Sequence, residues 1–158
     1  MGRGERSTQM ERKEQMTKTY VLDTSVVVKW FSSVNEKDTE KSLQLRQAHT
    51  KNSVILTVPD LLYYELANAL RYNPAFTSID VDMAIESIFK IGIETRQVNP
   101  ALIRHAIELA YKMGITVYDA CFLALAQELD AVLITADYSF CKKAGTIQFL
   151  QKLSDINL

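Results

Sequence analysis

Short apolar runs that alternate with helical patterns predict an α/β domain, a parallel sheet with helices on both faces. Three observations carry that prediction. Runs of strand length stand at residues 20–22 (YVL), 54–58 (VILTV) and 131–135 (AVLIT). The segments between them are long enough for crossover helices, with Pro59 and Pro100 at helix starts and Asn73-Pro74 at a stop. The first and last runs each lead into an aspartate, Asp23 and Asp137, which sets a carboxylate at a strand's C-terminal edge, where open α/β sheets bind ligands.

The elements follow in order. Residues 1–18 carry five basic and three acidic residues without apolar periodicity, so they read as a polar extension ahead of a domain spanning 19–158. Met16 offers an alternative start of translation just before the first strand. Beyond Asp23, Thr24 or Ser25 can cap a helix. The β-branched residues Val26, Val27 and Val28 leave one long strand as the other reading. Residues 35–51 form a polar surface helix on Leu43, Leu45 and Ala48.

After the second strand a helix runs from Leu61 to Arg71. At about 100° per residue, Glu65 falls on the stripe of Leu61, Leu62, Leu66 and Ala69, a carboxylate on the buried face. Such a charge needs a cation, donors or a raised pKa, unless it sits on a solvated rim. A further helix covers 80–91 on Met83, Ala84, Ile88 and Ile91, residues 95–98 form a third strand, and Pro100 opens a helix on Ile103, Ala106, Ala110 and Met113. His105 lies on that helix's polar side with Glu108 and Lys112, as a solvated histidine rather than a ligand.

Residues 114–130 contain an apolar block, 120–126, that predicts a helix buried on most sides, with Asp119 in its first turn. Thr116 three residues earlier makes capping one role for Asp119, and a carboxylate has oxygens enough to cap and bind a cation together. Asp137, too, reads alone as an N-cap. A last short strand follows in TIQFL, residues 146–150.

Composition limits the functions available. With 18 Lys and Arg against 19 Asp and Glu, no global positive charge draws in nucleic acid, so any such partner binds locally or through metal. No apolar run is long enough for a bilayer span and no secretory h-region is visible, which reads as cytoplasmic with no membrane partner. Cys121 and Cys141 fit no zinc or CxxC spacing and read as core thiols.

Asp23, Glu65, Asp119 and Asp137 would then share one cavity at the C-terminal edge of the sheet. Like charges this close oppose one another's ionisation, and a hard divalent cation resolves the conflict. The chemistry implied is phosphodiester hydrolysis by a Mg- or Mn-activated water. Thr24, Ser25 and Thr135 can orient ligands or water, or simply cap and terminate their elements.

The motifs LDTSVVVKWF, YYELANAL, TVYDACFLALA and LITADYSF, in this order and spacing, resemble the PIN-domain nucleases and among them the VapC toxins. The resemblance covers about residues 19–150. It implies a three-layer α/β/α domain with a parallel sheet of about five strands, Mg- or Mn-dependent endoribonuclease activity, a homodimer and a VapB-type antitoxin in the active-site groove. Asp23, Glu65, Asp119 and Asp137 match the family's acidic positions, and Thr24 or Ser25 and Thr135 its polar positions near the metal. The segment 73–94 falls where relatives build dimer or antitoxin contacts.

Two positions depart from many relatives: Ala136 stands where a polar residue precedes the fourth acid, and Ser139 where a further acid precedes Phe140. A haloacid-dehalogenase-type phosphatase needs an acid where Ser25 stands. A receiver domain needs neighbouring acids and a late lysine that this chain does not supply. A PIN-like module kept for RNA or protein binding is the non-enzymatic alternative, against which the four retained acids argue.

Overall fold

The structure, a computed structural model, describes residues 16–31 and 37–158. Its centre is a five-stranded, wholly parallel sheet in the order β3-β2-β1-β4-β5. The strands are β1 (Lys18–Leu22), β2 (Val54–Pro59), β3 (Glu94–Arg96), β4 (Val132–Thr135) and β5 (Leu150–Lys152). The helices are α1 (Thr24–Val27), α2 (Thr39–Thr50), α3 (Leu61–Arg71), α4 (Ser78–Ile91), α5 (Pro100–Met113), α6 (Val117–Glu128) and α7 (Tyr138–Ala144).

Consecutive side chains of a strand face opposite sides of a sheet, so burial of Tyr20, Val21 and Leu22 together means that both faces of β1 are covered. The same holds for Leu56, Thr57 and Val58 and for Leu133, Ile134 and Thr135. Helices on both faces of a parallel sheet are the predicted three-layer α/β/α arrangement. On one of them, α6, residues 120–126 are all buried, as their unbroken apolar run foretold.

Strand order reverses between β1 and β4. From β1 the chain steps outward through β2 to β3, then returns to the other side of β1 for β4 and β5. A parallel sheet opens a crevice at such a point, beyond the strand C-termini. Asp23 and Asp137 both follow strands that flank it.

Several boundaries differ from expectation. The turn after β1 is only α1 and a 3₁₀ turn, Val28–Trp30. β-branched valines are weak helix formers, and what holds this segment is tertiary: Ser42 Oγ donates to the Val26 carbonyl at 2.7 Å and Trp30 Nε1 to the Ser42 carbonyl at 2.9 Å. Ser42, fully buried, therefore ties α2 to the first turn, although nothing in the sequence singles it out.

The described part of α2 begins at Thr39, and residues 32–36 lie outside the described residues, as do residues 1–15 of the extension. Lys18 already belongs to β1. Leu45 is buried, whereas Leu43 is exposed.

α4 starts at Ser78 rather than Asp80, because Thr77 and Asp80 form a reciprocal capping box. Met83 points to solvent, leaving Ala84 and Ile88 as its buried positions. β3 covers Glu94–Arg96 instead of 95–98: Gly92, at φ 74°, ends α4 and returns the chain at once to pair with residues 57–59, and Asn99 then caps α5. No single described helix is long and apolar enough to cross a membrane.

Candidate active site

Asp23 enters the site from the last residue before α1. Its backbone N–H donates to the Ile134 carbonyl at 3.0 Å, which locks it across the β1–β4 boundary. Asp23 is 6% exposed. Its Oδ2 accepts from Ser25 Oγ at 2.6 Å and Thr135 Oγ1 at 2.8 Å. The three polar side chains close on one another, since Ser25 Oγ and Thr135 Oγ1 stand 3.3 Å apart. Ser25 Oγ also accepts from the Ala136 N–H at 2.9 Å, and Thr135 Oγ1 from the Asp137 N–H at 3.0 Å.

Neither Thr24 nor Ser25 caps the first helix. Both lie inside it, with Asp23 in the N-cap position, and their hydroxyls turn to the acids instead. Thr24 Oγ1 donates to Glu65 Oε1 at 2.8 Å, joining α1 to α3. Glu65 is half-buried, between the buried stripe and the rim reading, with Leu62 and Leu66 fully inside and Ala69 exposed. The apolar stripe of α3 is thus narrower than its sequence suggests.

Asp119 sits half-buried in the first turn of α6, where its backbone N–H donates to Thr116 Oγ1 at 3.0 Å. Asp137 caps α7 as expected: its Oδ1 accepts from the Ser139 N–H at 3.0 Å, the Ser139 hydroxyl at 2.7 Å and the Phe140 N–H at 3.1 Å. All three bonds fall on one oxygen, so the carboxylate keeps Oδ2 for another partner.

The acids sense one another. Burial, the largest cause, raises the Asp23 carboxyl above its ordinary range; the Ser25 and Thr135 hydroxyls oppose that, and the Asp119 charge adds to it. Burial also raises Glu65, against the Thr24 hydrogen bond and together with the charges of Asp23 and Asp119. For Asp119, burial again leads, Thr116 and Lys143 pull the other way, and Asp137 pushes it further up. Repulsion thus links all four across the switch point.

Among the described residues, no three His, Cys, Asp or Glu side chains are gathered tightly enough to hold one ion between them. Mg²⁺ and Mn²⁺ take oxygen donors, and Mg²⁺ in particular is commonly bound through one or two carboxylates while retaining several waters. An all-carboxylate set whose members are pushed toward neutrality by burial and by one another fits such a cation.

The remaining candidates take structural roles. His105 Nε2 lies 2.6 Å from Gln127 Oε1, with Nδ1 4.0 Å from Glu108, away from the acids. Cys121 is buried, but Cys141 is only half-buried: the short α7 leaves one side of it open to a cleft. Lys143, whose charge reaches Asp119, went unnoticed in the sequence, and no spacing rule ties it to that acid.

The PIN domain model matches residues 20–146. The chain is 31% identical over 108 residues to Ribonuclease VapC3 of Pyrobaculum aerophilum, covering 66% of this chain and 82% of that protein. Among solved structures, VapBC2 from Rickettsia felis bound to a DNA fragment superposes with a TM-score of 0.63 at 16% identity, covering 85% of this chain and 98% of the other. A toxin-antitoxin complex from Klebsiella pneumoniae gives 0.62 at 15% identity, covering 87% and 99%. At those identities the structures speak for the fold, whereas the family match spans most of the chain and takes in all four acids, so this protein belongs to the PIN-domain family.

Proposed function

We propose that this chain is a Mg²⁺- or Mn²⁺-dependent endoribonuclease and the toxin of a VapBC-type pair. The observation that carries the reading is the set of mutually repelling carboxylates, Asp23, Glu65, Asp119 and Asp137, brought from four elements to the switch point of a parallel sheet. The name of the Pyrobaculum relative supports ribonuclease activity, and VapBC2 from Rickettsia felis supports a VapB-type antitoxin as partner. Homodimerisation and a cytoplasmic site of action belong to the same reading.

In this mechanism Asp23, Glu65, Asp119 and Asp137 would hold the ion, directly or through water. When bound, the ion supplies positive charge to the scissile phosphate and a more acidic water. The hydroxyls of Ser25 and Thr135 fix the Asp23 carboxylate, and Thr24 fixes that of Glu65, so the oxygens do not have to be reordered when substrate arrives. Asp137 is held by the first turn of α7 through Oδ1, which leaves its second oxygen outside those bonds.

The test is cleavage of a mixed RNA panel by purified, antitoxin-free protein with Mg²⁺ or Mn²⁺, beside EDTA and Asp23→Asn controls. Cleavage lost in both controls supports the reading. Cleavage that survives EDTA, or survives Asp23→Asn at the wild-type rate, refutes it.

A further inference from the structure

A ribonuclease of this design must bring a polyanion to a cluster of carboxylates on a chain whose net charge is −1. The attraction has to come from a local basic surface. One lies beside the acids. A cleft of about 610 Å³ runs between α7 and β5, and Tyr138, Lys142, Thr146, Gln151, Lys152 and Asp155 are among its walls.

The backbone of the acid site fixes where this cleft opens. Tyr138 follows Asp137 directly, and Lys152 is the register partner of Thr135, whose hydroxyl holds Asp23. The Tyr138 ring collects charge from distant parts of the chain: Lys37 Nζ lies 5.4 Å and Lys152 Nζ 5.7 Å from its centroid. Its hydroxyl donates to Asp38 Oδ2 at 2.7 Å, which ties the approach to α2 against α7. In the wall itself Lys142 and Lys152 face one acid, Asp155, while beside Tyr138 the charge of Lys37 offsets that of Asp38. A wall with two ammonium groups, polar Thr146 and Gln151, and one aromatic ring suits phosphates joined in a strand.

We propose that this cleft holds the phosphate backbone of the RNA strand next to the scissile bond, with Lys142 and Lys152 on phosphates. Tyr138 is a positioning residue: its ring holds Lys152 at the cleft wall. The assignment deepens the ribonuclease reading and rests on it.

The test is binding of a labelled single-stranded oligouridine to the full chain in EDTA, followed by anisotropy over a range of salt concentrations, with wild-type RNA cleavage measured in parallel. Each phosphate contact on a single strand contributes about 0.7 to the slope of log affinity against log salt. Lys142→Gln and Lys152→Gln should each lower that slope by about 0.7, and the pair by about 1.4. Tyr138→Ala should weaken binding at least as much as Lys152→Gln although it removes no charge, and Tyr138→Phe, which keeps the ring, should restore it. Lys51→Gln, an exposed lysine beyond the C-terminal end of α2, should change nothing.

Unchanged slopes in both lysine variants, with wild-type cleavage intact, overturn the cleft and leave the ribonuclease standing. An equal loss with Lys51→Gln also overturns it, because binding is then diffuse. A wild-type chain that neither binds nor cleaves RNA overturns both.

Discussion

Replacing Asp23 by Asn removes one negative charge from the most buried member of the acid set and changes almost no volume. The amide oxygen can still accept from Ser25 and Thr135, at the places where Oδ2 now accepts at 2.6 and 2.8 Å. What disappears is the burial of a charge and its repulsion with Asp119 and Glu65. In the absence of metal the variant should therefore be more stable than the wild type, by about 1–3 kcal/mol, the range mutational data give for an incompletely compensated buried polar group. In a chain of this length ~1 kcal/mol moves the melting midpoint by about 2–4 °C, so the rise should be roughly 2–12 °C in EDTA. Activity should move the other way. In the proposed mechanism Asp23 helps hold the ion, and loss of such a group corresponds to a fall of about 10²–10³-fold in kcat/KM. Calorimetry in EDTA and with excess Mg²⁺, beside RNA cleavage, reads both effects: the wild type should gain stability on adding metal and the variant little. A variant that melts below the wild type in EDTA yet responds to Mg²⁺ as the wild type does would refute the reasoning, because Asp23 would then be a structural acceptor.

Thr135→Val removes the hydroxyl that donates to Asp23 and accepts from the Asp137 N–H, leaving that N–H without its partner; cleavage should fall about 10–100-fold while Mg²⁺ still stabilises the fold, as a paired kinetic and melting experiment can show. Asp23, Glu65 and Asp119 all have raised carboxyl pKa values, so the metal-free folded state binds protons more tightly than the unfolded chain. Their contribution is present at pH below the ordinary carboxylate range and is lost as pH rises through the raised folded values. Melting in EDTA should accordingly rise on mild acidification from neutrality, and excess Mg²⁺ should flatten or invert that trend; a midpoint that only falls on acidification would count against the shared repulsion. At the opposite edge of the sheet, His49 Nδ1 accepts from the Leu56 N–H at 3.2 Å and Nε2 lies 3.2 Å from the Gly92 carbonyl. His49→Ala leaves that β2 donor unpaired and should cost about 1–3 kcal/mol in urea unfolding with little change in cleavage.

How much of this could be read from the chain differs element by element. Residues 120–126 announce a buried helix because seven apolar residues in succession leave no polar face, and the structure buries each one. The position of the aspartates was legible because each follows an apolar run of strand length, and both flank the crevice between β1 and β4. Glu65 was legible only in part: helical periodicity gives its angle around α3, not how far neighbouring elements extend over it. Thr24 and Ser25 were expected at a cap, since local rules know only the nearest N–H groups, and Glu65 lies 41 residues away.

The sequence by itself determined the class of fold, the order of its strands and helices along the chain, and which four acids to propose for the chemistry, because apolar period and the cost of buried charge are local properties of the residues. Tertiary structure alone decided the rest. It set the β3-β2-β1-β4-β5 order, the hydroxyls that Glu65 receives from Thr24 and Asp23 from Thr135, and the lysines gathered around Tyr138, because these join residues far apart in sequence whose meeting depends on how the whole chain closes over its core.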